Sequence, residues 1–192
     1  MIKRTLGRMV LRITRWRTEG SAPGEKKYVL IGAPHTTNWD LLYLLAVSFD
    51  LGVRVSWLGK KSLFRGPLGF VLRRLGGVSV PRGQRSGMVD SLAEQYARAE
   101  SLVIVIAPEA TRSHSDHWKT GFHRVAVAAQ VPIVCGYIDY ERRVTGFGRV
   151  VWPTDDLEAD MAVFRSFYAD KQGKYPDQVS EVRLRDEQVA PD

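Results

Sequence analysis

The residues best suited to chemistry are His35 and Asp40, five positions apart at the end of the apolar segment 28–33. On one continuous helix this spacing would place them about 140° apart, on different faces. If His35 lies in a turn and Asp40 in the first turn of the next helix, the carboxylate can reach one imidazole nitrogen and leave the other facing outward. Thr37 or Asn38 would cap that helix. The pair can then act as a general base, and a structurally satisfied histidine is the alternative.

A second polar cluster, residues 108–113, directly follows the fully apolar segment 102–107. It brings the guanidinium of Arg112, the hydroxyl of Thr111 and backbone amides to the end of a buried strand. This combination suits a phosphate or a carboxylate, because a guanidinium binds such anions through two parallel hydrogen bonds. A surface ion pair between Glu109 and Arg112 is the alternative.

A third cluster is basic and consists of Lys60, Lys61 and Arg65, followed by Arg82 after the short apolar segment 78–80. These residues could contact a phosphorylated substrate, or they could form an ordinary solvated loop. All three clusters follow apolar segments that predict strands. In an open parallel sheet they would therefore converge on one edge.

Positive charge is concentrated in the first part of the chain. Residues 1–85 carry 16 lysines and arginines against 4 acidic residues, whereas residues 86–192 carry 12 against 17, within a net charge of +7. Such a distribution can serve nucleic acid, an anionic membrane surface or a phosphorylated substrate. No signature of a recognised nucleic-acid-binding module occurs, so we expect no nucleic-acid partner.

The elements that must position these clusters alternate along the chain. The 192 residues, 44% of them apolar, suit a single domain. We predict a layered α/β domain with a central, mostly parallel or mixed sheet flanked by helices. The predicted strands are 28–33, 53–58, 78–80, 102–107 and 132–138. The predicted helices are 2–17, a helix from the first cluster to about residue 49, then 66–75, 86–100, 121–130 and 158–168.

Three parts of the chain are distinguished: a basic amphipathic helix over 1–17, the main domain over 28–170, and a polar, loosely held C-terminal tail over 171–192. The N-terminal pattern predicts an apolar stripe flanked by arginines. It indicates a packed helix with a basic face, a helix lying in an anionic lipid interface, or both. Arginines interrupt every apolar run, so we expect no spanning segment. The stripe consists of Ile2, Leu6, Met9, Ile13 and Trp16.

The chain has one cysteine, Cys135, which excludes an internal disulfide and a thiolate metal cluster and favours a reducing compartment. Three histidines, His114, His117 and His123, follow the second cluster with Asp116. His114 and His117 could be metal ligands, which makes a metal-dependent hydrolase the competing class of enzyme. A fixed metal site would need a third ligand and ordered loops.

The clusters together resemble the motifs of the lysophospholipid acyltransferase family, the 1-acylglycerol-3-phosphate acyltransferases among them. Segment 35–40 matches H-x-x-x-x-D, and 59–82 is similar to the second block, which ends in an arginine. Segment 108–112 matches P-E-G-T-R, and 131–134 matches V-P-[IV]. Two positions depart from the family pattern: Ala110 replaces a glycine and Ser62 a glutamate. A positive φ at position 110 would strain the alanine.

This resemblance implies the glycerol-phosphate acyltransferase fold and acyl transfer from an acyl thioester, carried by coenzyme A or acyl carrier protein, to a hydroxyl of a phosphate-bearing lysolipid. An acceptor outside the glycerolipids is the alternative within the family. His35 and Asp40 would be the catalytic pair, and no metal or cofactor would be needed. An enzyme of this kind would act in the cytoplasm, at the anionic membrane surface. The implied substrate-binding residues are Lys60, Arg82, Glu109, Thr111 and Arg112.

Overall fold

A seven-stranded mixed sheet organises the protein, for which a computed structural model describes residues 2–80 and 87–185. The strand order is β1-β7-β6-β2-β5-β3-β4, and every neighbouring pair is parallel except β6 and β7. The prediction of a layered α/β domain is confirmed. The strands are β1 (Arg17–Gly20), β2 (Lys27–Ala33), β3 (Ser56–Lys60), β4 (Gly77–Val80), β5 (Leu102–Ile106), β6 (Ile133–Asp139) and β7 (Val144–Val151).

Helices cover both faces of this sheet. The helices are α1 (Ile2–Ile13), α2 (Trp39–Leu51), α3 (Gly66–Arg74), α4 (Met88–Arg98), α5 (Gly121–Ala129) and α6 (Leu157–Tyr168), with 3-10 turns at Lys61–Phe64 and Pro176–Gln178. Successive strand residues point to opposite faces. In β2, Val29 belongs to a core cluster that includes residues of α4, α5 and α6, whereas Leu30 belongs to a cluster on the other face that includes residues of α2 and α3. A strand buried on both faces reads as a continuous apolar run, which is why β2, β5 and β6 stand out in the sequence.

Two strands were not among the predicted elements. β1 is polar and lies at the edge of the sheet, where little of it is buried. β7 contains glycines rather than an unbroken apolar run, and one of them is required by packing. A Cβ on Gly146 would lie 2.1 Å from the carbonyl oxygen of Glu19 in β1, so only glycine allows the two strands to pair. Both strands are defined by pairing across the sheet, which no local pattern reports.

Helix α1 packs on α2 through the face that carries Gly7 and Leu11. A Cβ on Gly7 would lie 2.5 Å from the carbonyl oxygen of Ala46, and Leu11 is buried beside it. The helix ends at Ile13 rather than at residue 17, and Trp16 is buried, so the prediction that Trp16 belongs to the apolar stripe is wrong. The other four stripe residues face away from the core. Their exposed fractions are 86% for Ile2, 44% for Leu6, 50% for Met9 and 73% for Ile13.

The C-terminal segment packs more closely than its polar composition predicts. Between Gln172 and Arg185 it crosses the loops that follow β2 and β5, and Ser180 is buried. The backbone N–H of Tyr140 donates to the carbonyl of Gln172 at 2.9 Å, and that of Trp118 donates to the carbonyl of Arg183 at 3.0 Å. Within residues 2–80 and 87–185, no helix is both long and apolar enough to cross a membrane.

Candidate active site

The loops that carry the sequence motifs meet at one edge of the sheet. β2, β5 and β3 are parallel neighbours, so their carboxyl ends lie side by side. The segment 35–40 follows β2, the segment 108–113 follows β5, and Lys60 is the last residue of β3. Adjacent strands are about 4.8 Å apart, so Lys60 stands about two strand spacings from the end of β2. The predicted convergence of the first two clusters is present in the structure.

His35 and Asp40 form a hydrogen-bonded pair where β2 gives way to α2. His35 Nδ1 lies 3.0 Å from Asp40 Oδ2, and Asp40 is the second residue of α2. The carboxylate is buried, whereas the imidazole keeps 30% of its surface exposed. Because a carboxylate only accepts hydrogen bonds, Nδ1 carries the proton and Nε2 of the neutral ring keeps its lone pair.

Asp40 is held by three further donors. The backbone N–H groups of Thr36 and Thr37 donate to Oδ2 at 2.9 and 3.0 Å, and the hydroxyl of Tyr140 donates to Oδ1 at 2.8 Å. Asn38 occupies the N-cap position of α2 but forms no capping bond through its side chain. The carboxylate therefore satisfies two backbone amides of the turn that precedes α2, and the side chain of Asn38 remains available for another contact.

Glu109 is buried rather than part of a surface ion pair. Its Oε2 accepts a hydrogen bond from the backbone N–H of His35 at 2.8 Å, and only 2% of the residue is exposed. Burial raises the pKa of this carboxyl group to about 8, and the negative charge of Asp40 adds to the increase. The alternative of an exposed pair with Arg112 is wrong. Glu109 instead joins the loop after β5 to the residue that carries the imidazole.

Ala110 has a φ of +56°, in the region that favours glycine. A side chain in this conformation costs about 1 to 2 kcal/mol, because its Cβ approaches the following carbonyl oxygen. The strain anticipated for an alanine at this position is therefore present. The turn is still formed, since the N–H of Ala110 donates to the carbonyl of Ala107 at 3.1 Å.

Arg112 lies beside the first loop, where its Nη1 donates a hydrogen bond to Oδ1 of Asn38. Next to this contact is a polar cleft of about 360 Å³. Seven of its eight lining residues are neutral hydrogen-bonding residues, and the eighth is Arg112. The lining consists of Thr36, Thr37, Asn38, Thr111, Arg112, Ser113, Tyr175 and Gln178.

The wall of the cleft that sequence reasoning missed comes from the C-terminal segment. The backbone N–H of Tyr175 donates to Thr36 Oγ1 at 3.4 Å. With its amide oriented to satisfy both neighbours, Gln178 donates to the carbonyl oxygens of Arg112 and Thr36 at 2.8 and 3.3 Å. No motif marks these residues. Tyr140 was missed as well, although it directly follows β6, whose carboxyl end lies at the same edge.

The structure does not bring all the predicted substrate-binding residues together. Thr111 and Arg112 line the cleft, whereas the buried Glu109 and the exposed Lys60 are not part of its lining. Arg82 lies outside the described residues.

The three histidines after β5 have separate partners. His123 is buried on α5, with Nε2 2.8 Å from Asp160 Oδ2. His114 Nδ1 lies 2.9 Å from the carbonyl oxygen of Val179, and His117 Nδ1 lies 2.6 Å from Asp116 Oδ1. Across 2–80 and 87–185, no group of three or more histidine, cysteine, aspartate or glutamate side chains could hold a metal ion. The structure therefore does not gather the ligands on which the hydrolase alternative depends.

Comparison with known proteins bears on the family and the fold of the chain. A sequence model of the family described as Acyltransferase matches residues 14–139, about two thirds of the chain, including the motifs after β2, β3 and β5. The fold is similar to the crystal structure of PlsC, the 1-acyl-sn-glycerophosphate acyltransferase of Thermotoga maritima. The TM-score is 0.63 at 17% identity, over 90% of this chain and 80% of that one. No curated protein sequence matches the chain. The extent of the family match shows that the chain belongs to the acyltransferase family and is an enzyme of that class.

Proposed function

We propose that the enzyme transfers an acyl group from an acyl thioester to a hydroxyl of a phosphate-bearing lysolipid such as 1-acylglycerol-3-phosphate, with His35 as the general base. The observation that carries this proposal is the bond between His35 Nδ1 and Asp40 Oδ2, beside a polar cleft. The bond fixes one tautomer and leaves Nε2 of a partly exposed imidazole to accept a proton. The thioester would be that of coenzyme A or of acyl carrier protein.

The proposed reaction moves one proton through His35. Nε2 takes the proton of the acceptor hydroxyl as its oxygen bonds to the thioester carbonyl carbon. The tetrahedral intermediate collapses by breaking the carbon–sulfur bond, and the imidazolium returns the proton to the departing thiolate. Asp40 stays ionised and stabilises the imidazolium between the two transfers. The route uses no metal or cofactor and forms no acyl-enzyme.

The cleft would hold the polar head of the acceptor. Arg112 has five N–H donors, of which Asn38 accepts one, so a phosphate can be bound without breaking the existing contact. Thr111 and Ser113 add hydroxyl groups beside it. Lys60 and Arg82 would extend the binding of phosphate on either substrate.

The largely neutral lining also favours a second candidate, an acceptor rich in hydroxyl groups that is not a glycerolipid. Neutral amides and hydroxyls bind sugar or polyol hydroxyls well, whereas a dianionic phosphate is bound more strongly by charged donors, of which this lining has one. Both candidates use the same base and the same acyl donors.

The enzyme is proposed to dock on an anionic membrane from the cytoplasm, through the exposed stripe of α1, namely Ile2, Leu6, Met9 and Ile13. At 100° per residue these four side chains lie within about 60° of each other. The face that packs on α2 is centred about 150° away, so the stripe can enter lipid while the helix remains docked. Arginines beside the stripe would each add about 1 kcal/mol at an anionic surface.

The proposal is tested by following thiol release from an acyl-CoA with a panel of acceptors that includes lysophosphatidic acid, with products identified by mass spectrometry. His35→Ala should reduce turnover at least a hundredfold. His117→Ala is the matched control, and it should leave turnover unchanged. Loss of activity with a chelator, but not with His35→Ala, would contradict the proposal and favour the hydrolase class. Acylation of only non-lipid acceptors would select the second candidate.

A further inference from the structure

The hydroxyl of Tyr140 donates to the one oxygen of Asp40 that accepts no hydrogen bond from the imidazole or from the turn before α2. Oδ2 receives His35 Nδ1 and the N–H groups of Thr36 and Thr37, whereas Oδ1 receives Tyr140 Oη at 2.8 Å. The χ2 torsion of an aspartate, which rotates the carboxylate about the Cβ–Cγ bond, has a broad energy minimum and two nearly equivalent orientations. A separate donor on Oδ1 therefore fixes which oxygen faces the imidazole.

Tyr140 is itself firmly placed. It follows the last residue of β6, Asp139, whose Oδ1 accepts from the N–H groups of Glu141 and Arg142 at 3.1 and 3.3 Å and so shapes the turn. The ring of Tyr140 contacts the ring of Trp16 edge to face, with the ring centroids 4.9 Å apart. Trp16 in turn stacks on Tyr43, with the ring centroids 3.9 Å apart. The aromatic cluster leaves the phenol little freedom to release Asp40.

We infer that Tyr140 is a positioning residue for the catalytic pair, an inference that rests on the proposed role of His35 and Asp40. Its hydroxyl orients the carboxylate and shares its negative charge. The residue acts through Asp40 and does not touch the substrate.

The same contact sets how strongly Asp40 stabilises a protonated imidazole. A donor on Oδ1 withdraws part of the carboxylate's charge, so its removal leaves a stronger acceptor for His35. The acidic limb of the pH profile should then move to higher pH. Burial and the charge of Asp40 raise the pKa of the Tyr140 phenol, so it stays protonated throughout this range. The other titratable groups around the pair are Tyr43, Glu109 and Tyr175.

The test compares Tyr140→Phe with the wild type. The phenylalanine keeps the aromatic packing and removes only the hydroxyl. We expect kcat to fall about tenfold with little change in either KM, the loss associated with one hydrogen bond to a charged group. The midpoint of the acidic limb should rise by about half a pH unit. Tyr43→Phe is the matched control, because it removes a hydroxyl from the same cluster without touching Asp40.

A second measurement is independent of turnover. The imidazole of His35 can be titrated by NMR in histidine-labelled protein, with its signal assigned from His35→Ala. In Tyr140→Phe the titration should move in the same direction as the pH profile. If His35→Ala is inactive while Tyr140→Phe matches the wild type in both titration and kcat, the inference is wrong and the proposed function stands. If His35→Ala retains full turnover, the proposed function fails first.

Discussion

Replacing Glu109 with glutamine should remove a dependence of stability on pH that one buried carboxyl group creates. Glu109 is buried, and its Oε2 accepts a single hydrogen bond, from the backbone N–H of His35. Its Oε1 has no hydrogen-bond partner among the described residues. With so little compensation, burial raises the pKa from 4.5 to about 8.

The direction follows from proton binding. An acid whose pKa is higher in the folded than in the unfolded state binds more protons when folded. Its contribution to stability is complete below about pH 4.5 and is lost as the pH rises toward about 8. Between pH 5 and pH 8 the free energy of unfolding should therefore fall by roughly 3 kcal/mol through Glu109 alone. Glutamine cannot ionise, so Glu109→Gln should lack this decrease.

Urea unfolding of both proteins at pH 5, 6, 7 and 8 provides the measurement. The stability of Glu109→Gln relative to the wild type should increase with pH by roughly 3 kcal/mol over this range. Any constant cost of the new amide and the titration of other groups cancel in this comparison. Glu100→Gln, which changes an exposed acid, should show a constant difference. A constant difference for Glu109→Gln as well would refute the reasoning.

Three further predictions concern the turn, the cation and the helix stripe. Ala110→Gly should raise the free energy of unfolding by about 0.5 kcal/mol in thermal or urea unfolding, because the strain of a positive φ outweighs the added chain entropy. Ala99→Gly, at a φ of −85°, should be destabilising, and a loss in both variants would contradict the argument. Arg112→Ala should lower kcat/KM for the acceptor about tenfold to a hundredfold, with the KM for the donor unchanged. If Arg112→Ala is unfolded, or if it is stable and has normal kinetics, the role of Arg112 is structural instead. The double substitution Ile2→Ser and Ile13→Ser, at the two ends of the exposed stripe of α1, should lower cosedimentation with anionic vesicles at least tenfold without changing stability. Val127→Ser, which changes an exposed residue on α5, should leave cosedimentation unchanged. An equal loss of vesicle binding in both proteins would mean that α1 is not the docking element.

Much of the fold could be predicted because its central strands are buried on both faces. The apolar runs that form β2, β5 and β6 need no partner to be recognised. β1 and β7 could not be predicted in the same way, because a polar edge strand and a glycine-containing strand are defined by the chain beside them. The predicted C-terminal end of α1 was wrong for a related reason. Trp16 continues the helical spacing, yet the chain leaves the helix to stack this ring on Tyr43.

In the candidate site, too, some residues carry a local sequence signal and others are brought together only by packing. His35, Asp40 and Arg112 follow strand ends, so their types and order were enough to place them at one edge. Glu109 was placed near them, but its buried contact with the main chain of His35 depends on how two loops pack. Tyr140 and the C-terminal wall of the cleft carry no local signal. They reach the site over 100 or more positions, and only the three-dimensional structure reveals such contacts.

His35, the proposed base, and the guanidinium of Arg112 are linked to each other through contacts between their loops. Glu109 holds the backbone of His35, and three residues further along each loop Arg112 holds Asn38. Two loops that follow neighbouring strands are thus joined at both ends of a short segment. The separation between imidazole and guanidinium is then set by two contacts between the loops and by the sheet beneath them. Such a fixed separation favours catalysis, because an acceptor bound at the cation would already hold its hydroxyl at a constant distance from the base.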